Sequence, residues 1–105
     1  MITWLLLGLT IILEVAGTIS MKLSNGFTRV VPSILLFVFY GSCFTLFTFV
    51  ITKMDMSIAY AIWSGLGTLS IFIIAVIIFG ESISITKGIF VLLIVVGVAG
   101  LKFMD

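Results

Sequence analysis

The sequence predicts an all-α integral membrane protein with four transmembrane helices per protomer. Of its 105 residues, 63% are hydrophobic, only 9% are charged and none is histidine, which is too little charge to cover a soluble domain of this size. Hydropathy divides the chain into four stretches, each near the roughly 20 residues that a helix needs to cross a bilayer. We expect helices at residues 4–21, 32–51, 57–80 and 85–103, within one transmembrane domain covering residues 1–105.

Short connections with helix-ending or loop signals separate the four stretches. Asn25-Gly26 lies in the first connection, charged residues lie at 53–55 in the second, and residues 80–84 form the third. Pro32 fits the first turn of the second helix, where its missing N–H costs nothing. The first stretch has no basic start and contains Glu14, so we expect a spanning helix rather than a cleaved secretion signal.

The other charges lie at the ends of the stretches, which favours interfacial anchoring. An even number of spans puts both termini on one side of the membrane, together with Lys53 and Lys102. The opposite side carries Lys22, Arg29 and Lys87. Membrane proteins orient with more Lys and Arg on the cytoplasmic side. A difference of three basic residues against two gives only a weak preference, so the chain can insert in either orientation.

Several classes of function are disfavoured by what the sequence lacks. Cys43 is the only cysteine and there is no histidine, so an internal disulfide and the usual transition-metal ligand sets are missing. There is no glycine-rich phosphate loop, no basic patch for nucleic acid and no base to activate a nucleophile. We expect no enzymatic activity, no metal, no cofactor and no nucleic-acid partner.

Glu14 is the only ionisable side chain deep within any of the four stretches. A charged side chain at the bilayer centre costs roughly 2.5 to 3.5 kcal/mol on insertion scales, so such an acid is a candidate functional residue. Thr10, Gly17 and Thr18 lie on the same helical face. No basic residue lies at membrane depth to neutralise the acid, so it can exchange protons and, when ionised, attract cations. A packing hydrogen bond is the structural alternative.

The third stretch supplies aromatic side chains for a cation. Tyr60, Trp63, Ser64 and Gly67 recur at helical spacing and share one face. Aromatic rings stabilise a desolvated organic cation by roughly 0.5 to 2 kcal/mol. With Glu14, the two rings predict a box for a lipophilic cation, although ordinary packing or an interfacial aromatic belt accounts equally well for the spacing.

Tyr40 is a further candidate wall in the second stretch, where a packed aromatic is the alternative. Gly65 and Gly67 permit either a bend or close helix packing in the third stretch. Four helices offer little room to enclose a path for a large cation, so we expect a closed dimer that brings two copies of Glu14 together. Copies inserted in opposite senses would form an inverted repeat suited to alternating access. Gly97 in the fourth stretch is the expected dimer contact.

Four runs of residues carry a resemblance to a known family: Glu14-Val15, residues 22–29, Pro32-Ser33 and the run from Ala59 to Gly67. With them the chain resembles the small multidrug resistance transporters along essentially its whole length. The resemblance implies an antiparallel, dual-topology homodimer of eight helices in the bacterial inner membrane, exchanging protons for cationic substrates.

The same resemblance implies roles for individual residues. Glu14 would bind protons and substrate in competition, and Tyr60 and Trp63 would line the pocket with Thr18 and Tyr40 nearby. The bend of the third helix would lie at Gly65 and Gly67.

Residues 15–18 resemble the branch that exports quaternary ammonium compounds, whereas guanidinium exporters typically have a tryptophan shortly after the glutamate. Thr45 stands where several multidrug members have tryptophan, and Phe90 replaces a glycine often found in the fourth-helix dimer contact. Residues 54–57 resemble members that work in pairs. A guanidinium or polyamine exporter and a subunit of a heterodimer are therefore alternatives, and a small cation channel or a structural membrane subunit are rivals from other classes.

Overall fold

The structure, a computed structural model, describes residues 1–104. It consists of four α-helices: α1 (Ile2–Leu23), α2 (Val30–Val50), α3 (Met56–Ile77) and α4 (Ile85–Met104). All four are long and apolar enough to cross a membrane. The prediction of an all-helical protein with four potential spans is confirmed. Helices α1 and α4 extend slightly beyond the predicted ranges, and Pro32 lies in the first turn of α2 as expected.

Helix α3 ends at Ile77, earlier than the predicted residue 80. Gly80 has a φ of 68°, the left-handed conformation that commonly terminates a helix. The N–H of Glu81 donates to the carbonyl of Ala75 at 3.0 Å. The chain therefore turns away from the helix axis before the glycine that the sequence predicted as the last helical residue.

The first connection is a compact turn in which Asn25, Gly26 and Phe27 all have positive φ, of 49°, 68° and 67°. The sequence predicts the turn at Asn25-Gly26, but gives no sign of a left-handed phenylalanine, which costs about 1–2 kcal/mol. Two contacts hold Phe27 in place. Its N–H donates to the Ser24 hydroxyl at 3.3 Å, and its ring stacks on Phe37 with centroids 6.2 Å apart.

The helices form two compact units, residues 1–55 with α1 and α2, and a second unit that begins at Met56 and contains α3 and α4. The single domain expected from the sequence stays a prediction. In the first unit, Leu7, Leu36, Cys43 and Val50 are buried. The Cys43 thiol donates to the carbonyl of Thr10 at 3.2 Å, so α1 and α2 approach closely along the middle of their length.

The second unit depends on a glycine. Gly65 in α3 faces Val98 in α4 so closely that a Cβ at position 65 would overlap the Val98 methyl group. No residue of α4 is buried. Close packing through Gly65 therefore joins the two helices, while most of the α4 surface stays uncovered.

We expect Gly65→Ala to destabilise the protein, because the added methyl group would push α3 and α4 apart. Overpacking costs about 1–3 kcal/mol, which outweighs the roughly 1 kcal/mol by which alanine favours a helix over glycine. Thermal unfolding in detergent, followed by circular dichroism, measures the effect. Gly41→Ala in α2 is the matched control, because a Cβ there meets nothing within 4 Å. Equal melting temperatures for the two variants would contradict the packing argument.

Candidate functional site

Three predicted site residues come together between α1 and α2: Glu14, Thr18 and Tyr40. The Thr18 hydroxyl donates to Glu14 Oε1 at 3.1 Å, and the hydroxyls of Thr18 and Tyr40 lie 2.6 Å apart. Thr18 is one helical turn beyond Glu14, so the first contact follows from helical spacing. The second contact joins the two helices.

The hydrogen bonds among these residues have a direction. A threonine hydroxyl has a single proton to donate. Because Thr18 gives that proton to Glu14, the Tyr40 hydroxyl must donate to Thr18 Oγ1. Donors thus run from Tyr40 through Thr18 to the carboxylate, and successive hydrogen bonds of this kind polarise and strengthen one another. These two hydrogen bonds fix the orientation of the Glu14 carboxylate.

The second carboxylate oxygen is different. Glu14 Oε2 is buried and has no hydrogen-bond partner among residues 1–104. A buried polar atom without a partner carries an unfavourable desolvation cost. Within the described part of the chain no lysine or arginine forms an ion pair with Glu14. This oxygen is therefore the atom at which a proton or a cation would relieve the cost.

Gly17 allows the close approach that forms the site. The Tyr40 ring lies against it, and a Cβ at Gly17 would be 2.7 Å from two ring carbons. Any other residue would displace the ring. The neighbour that Gly17 admits is therefore an aromatic side chain from α2.

Two predicted polar residues use their hydroxyls elsewhere. Thr10 is fully buried, and its hydroxyl donates to the carbonyl of Leu7 at 2.7 Å. Ser64 donates to the carbonyl of Tyr60 at 2.8 Å. Each hydroxyl bonds to the backbone of its own helix, so a place for Thr10 and Ser64 in the substrate pocket stays a prediction.

Tyr60 and Trp63 lie on α3 with their ring centroids 5.4 Å apart and their planes inclined by 57°. Tyr60 is 56% exposed, so one side of this aromatic pair is open. The shared face expected from their spacing is present in α3. Their role in a cation pocket stays a prediction.

The predicted glycines occupy different surroundings. Gly65 packs on α4, Gly67 is buried, and a Cβ at Gly97 would meet nothing within 4 Å. Gly65 of α3 and Gly97 of α4 both line a groove of about 350 Å³ between the two helices. Helix α3 runs unbroken through Gly65 and Gly67, so a bend there stays a prediction.

Sequence reasoning missed Cys43. Its thiol bonds to the Thr10 carbonyl one turn before Glu14 and fixes the spacing of α1 and α2 beside the site. Its only signal was one helical turn of separation from Tyr40. No group of three or more histidine, cysteine or acidic residues lies together within residues 1–104.

Comparison with known proteins identifies the family of the chain. Residues 2–94 match the family model described as Small Multidrug Resistance protein. The chain is 44% identical to the uncharacterized membrane protein YvaE of Bacillus subtilis strain 168 over 102 residues, 97% of this chain and 86% of that protein. It is 38% identical to the quaternary ammonium compound-resistance protein QacF of Klebsiella aerogenes (97% and 93%). It is 33% identical to a guanidinium exporter of Yersinia pseudotuberculosis (94% and 95%).

Four membrane-spanning helices and a carboxyl held between two of them are typical of a membrane transport protein. The chain belongs to the small multidrug resistance family, which confirms the resemblance drawn from the sequence. Members of this family are transporters rather than enzymes, and the chain is a multi-pass protein of the bacterial inner membrane.

We expect Gly17→Ala to lower stability and transport together, because its methyl group would displace the Tyr40 ring and break the contact with Thr18. The loss of stability should largely disappear in a Tyr40→Ala background, giving a coupling energy of about 0.5–3 kcal/mol for two residues in contact. Denaturant unfolding of the two single variants and the double variant measures this coupling. Gly8→Ala is the control, since a Cβ there meets nothing within 4 Å. Additive changes in the free energy of unfolding at positions 17 and 40 would contradict an energetically important contact between Gly17 and the Tyr40 ring.

Proposed function

We propose that this protein is a proton-coupled antiporter that exports hydrophobic organic cations, with quaternary ammonium compounds as its substrate class. The observation that carries the proposal is Glu14, whose Oε1 is held by Thr18 while Oε2 is buried without a partner. A proton and an organic cation would satisfy the same oxygen. Family membership and the relative QacF support export and this class of substrate.

Competition for Glu14 supplies the coupling. In the outward-facing protein, protons bind the carboxyl and discharge it. After the protein turns inward, the protons leave as a hydrophobic cation binds the carboxylate, and the cation is carried outward and displaced by the next protons. Because one acid cannot hold both ligands, downhill proton entry drives uphill export.

Each of the site residues has a different role in this proposal. Thr18 and Tyr40 orient the carboxylate through their directed hydrogen bonds. Tyr60 and Trp63 offer aromatic faces to the substrate by cation–π contact. Thr10, Gly17 and Ser64 shape the helices around the pocket, and Gly65 and Gly67 are the proposed bend of α3.

We propose an antiparallel homodimer as the functional unit. Helix α4 has no buried residue, and Gly97 opens onto the groove between α3 and α4, so a second copy has an uncovered apolar helix to pack against. Basic residues are almost evenly divided between the two sides, which supports insertion in both senses. The pair would then be an inverted repeat, the arrangement that many transporters use for alternating access.

Two finer alternatives concern the substrate and the partner. Similarity to the guanidinium exporter of Yersinia pseudotuberculosis favours guanidinium as a second candidate, and a polyamine is a third. Solid-supported membrane electrophysiology on the purified chain, with guanidinium, a tetra-alkylammonium and a polyamine at several pH values, separates them. We expect the largest currents with the tetra-alkylammonium. Currents only after a second related chain is added would replace the homodimer with a heterodimer.

We expect Glu14→Gln to abolish proton-driven transport, because glutamine can neither release a proton nor carry a negative charge. Glu14→Asp keeps an acid on a shorter side chain and should retain transport with a changed pH profile. Both are measured as uptake of a tetra-alkylammonium into reconstituted vesicles under a pH gradient, with Asp55→Asn in the second connection as control.

Undiminished pH-driven uptake by Glu14→Gln would defeat the mechanism. A current that follows voltage with no fixed ratio of protons to substrate would instead indicate a cation channel. Normal assembly of Glu14→Gln together with no transport by the unmodified protein would indicate a structural subunit.

A further inference from the structure

A cavity within the α3–α4 unit lies where α3 ends and α4 begins. It has a volume of about 340 Å³ and is lined by Phe72, Val76, Glu81, Ser82, Lys87, Phe90 and Val91. Because residues between α3 and α4 connect two membrane spans, the cavity lies at the boundary between hydrocarbon and water.

The cavity has an apolar wall and a polar side. Phe72 and Val76 from α3 and Phe90 and Val91 from α4 form an apolar wall. The polar side consists of Glu81, Ser82 and Lys87, so it carries one negative and one positive charge. An apolar wall that continues into two opposite charges matches a molecule with a hydrocarbon chain and a zwitterionic head.

Glu81 and Lys87 do not form an ion pair with each other in the described residues. Lys87 Nζ donates to the Ser82 carbonyl at 3.0 Å and to the Ser82 hydroxyl at 3.2 Å. An ammonium has three donors, so one remains after these two bonds. Within residues 1–104 the Glu81 carboxylate forms neither an ion pair nor a hydrogen bond. Ser82 therefore holds the Lys87 ammonium in place, and both Lys87 and Glu81 can still bind a charged ligand.

The start of α4 adds to the preference for an anion beside Lys87. The Ser84 hydroxyl accepts the N–H of Lys87 at 3.2 Å and caps the helix. Lys87 therefore lies in the first turn of α4, where the helix dipole favours negative charge. Phosphate is a strong acceptor for a lysine ammonium.

We propose that this cavity binds a phospholipid whose head group combines a phosphate with a primary ammonium. The phosphate contacts Lys87, the ammonium contacts Glu81, and an acyl chain lies on the wall formed by Phe72, Val76, Phe90 and Val91. A primary ammonium can donate hydrogen bonds to Glu81, whereas a trimethylated head group cannot. The lipid is a structural ligand of the α3–α4 unit, separate from the transported cation.

Native mass spectrometry of the purified protein tests the proposal with three lipids of identical acyl chains: phosphatidylethanolamine, phosphatidylcholine and phosphatidylglycerol. We expect the unmodified protein to retain phosphatidylethanolamine most tightly. Lys87→Gln should lower its affinity about tenfold, the loss of one charge-assisted contact. Glu81→Gln should remove the preference for phosphatidylethanolamine over phosphatidylglycerol. Lys53→Gln, an interfacial lysine outside the cavity, should leave both affinities unchanged.

Equal retention of the three lipids by the unmodified protein, or unchanged retention in Lys87→Gln and Glu81→Gln, overturns the proposal. Displacement of the lipid by inorganic phosphate alone would show a site for free phosphate and overturn it too. The competition experiment needs no variant, so it decides the question even where a substitution prevents folding.

Discussion

An unpaired carboxylate oxygen in an apolar helix pair is the interaction on which the rest of the protein depends. Glu14 is expensive to place at membrane depth, and its position is acceptable because Thr18 of the same helix donates to one carboxylate oxygen while Tyr40 of α2 donates to Thr18. The Tyr40 hydroxyl reaches Thr18 because residue 17 is glycine and leaves room for the ring. The Cys43 thiol bonds to the Thr10 carbonyl and so holds α1 and α2 close together beside the site. One oxygen is thereby satisfied, while the other is buried without a partner and is the atom that takes the proton or the substrate in the proposed function.

The two halves of the chain divide the requirements of a transporter between them. Residues 1–55 bury polar groups and build the acid site. The second unit packs α3 on α4 through one glycine and leaves α4 uncovered. A protomer that buries so little of its last helix has apolar surface to share with lipid or a second copy. The polar cavity at the α3–α4 connection suggests that the bilayer itself contributes a specific ligand to this unit.

The sequence alone predicted the helices and the acid, because both depend on local or one-dimensional signals. Apolar stretches of about 20 residues read directly as spans, and Thr18 follows from Glu14 by helical spacing. Contacts between helices were less accessible. The spacing that put Thr10 and Ser64 beside their neighbours could not show that each hydroxyl bonds to its own backbone. The left-handed Phe27 was equally hidden, because its cost is met by stacking on a residue ten positions away.

The turn between α1 and α2 has a mechanical consequence. Three successive left-handed residues, the Ser24 hydroxyl that both donates and accepts, and a stacked pair of phenyl rings leave this turn few other conformations. The turn therefore keeps α1 and α2 in a fixed relative orientation. In the proposed alternating access these two helices would move as one rigid body, so Glu14, Thr18 and Tyr40 would keep their hydrogen bonds during the movement.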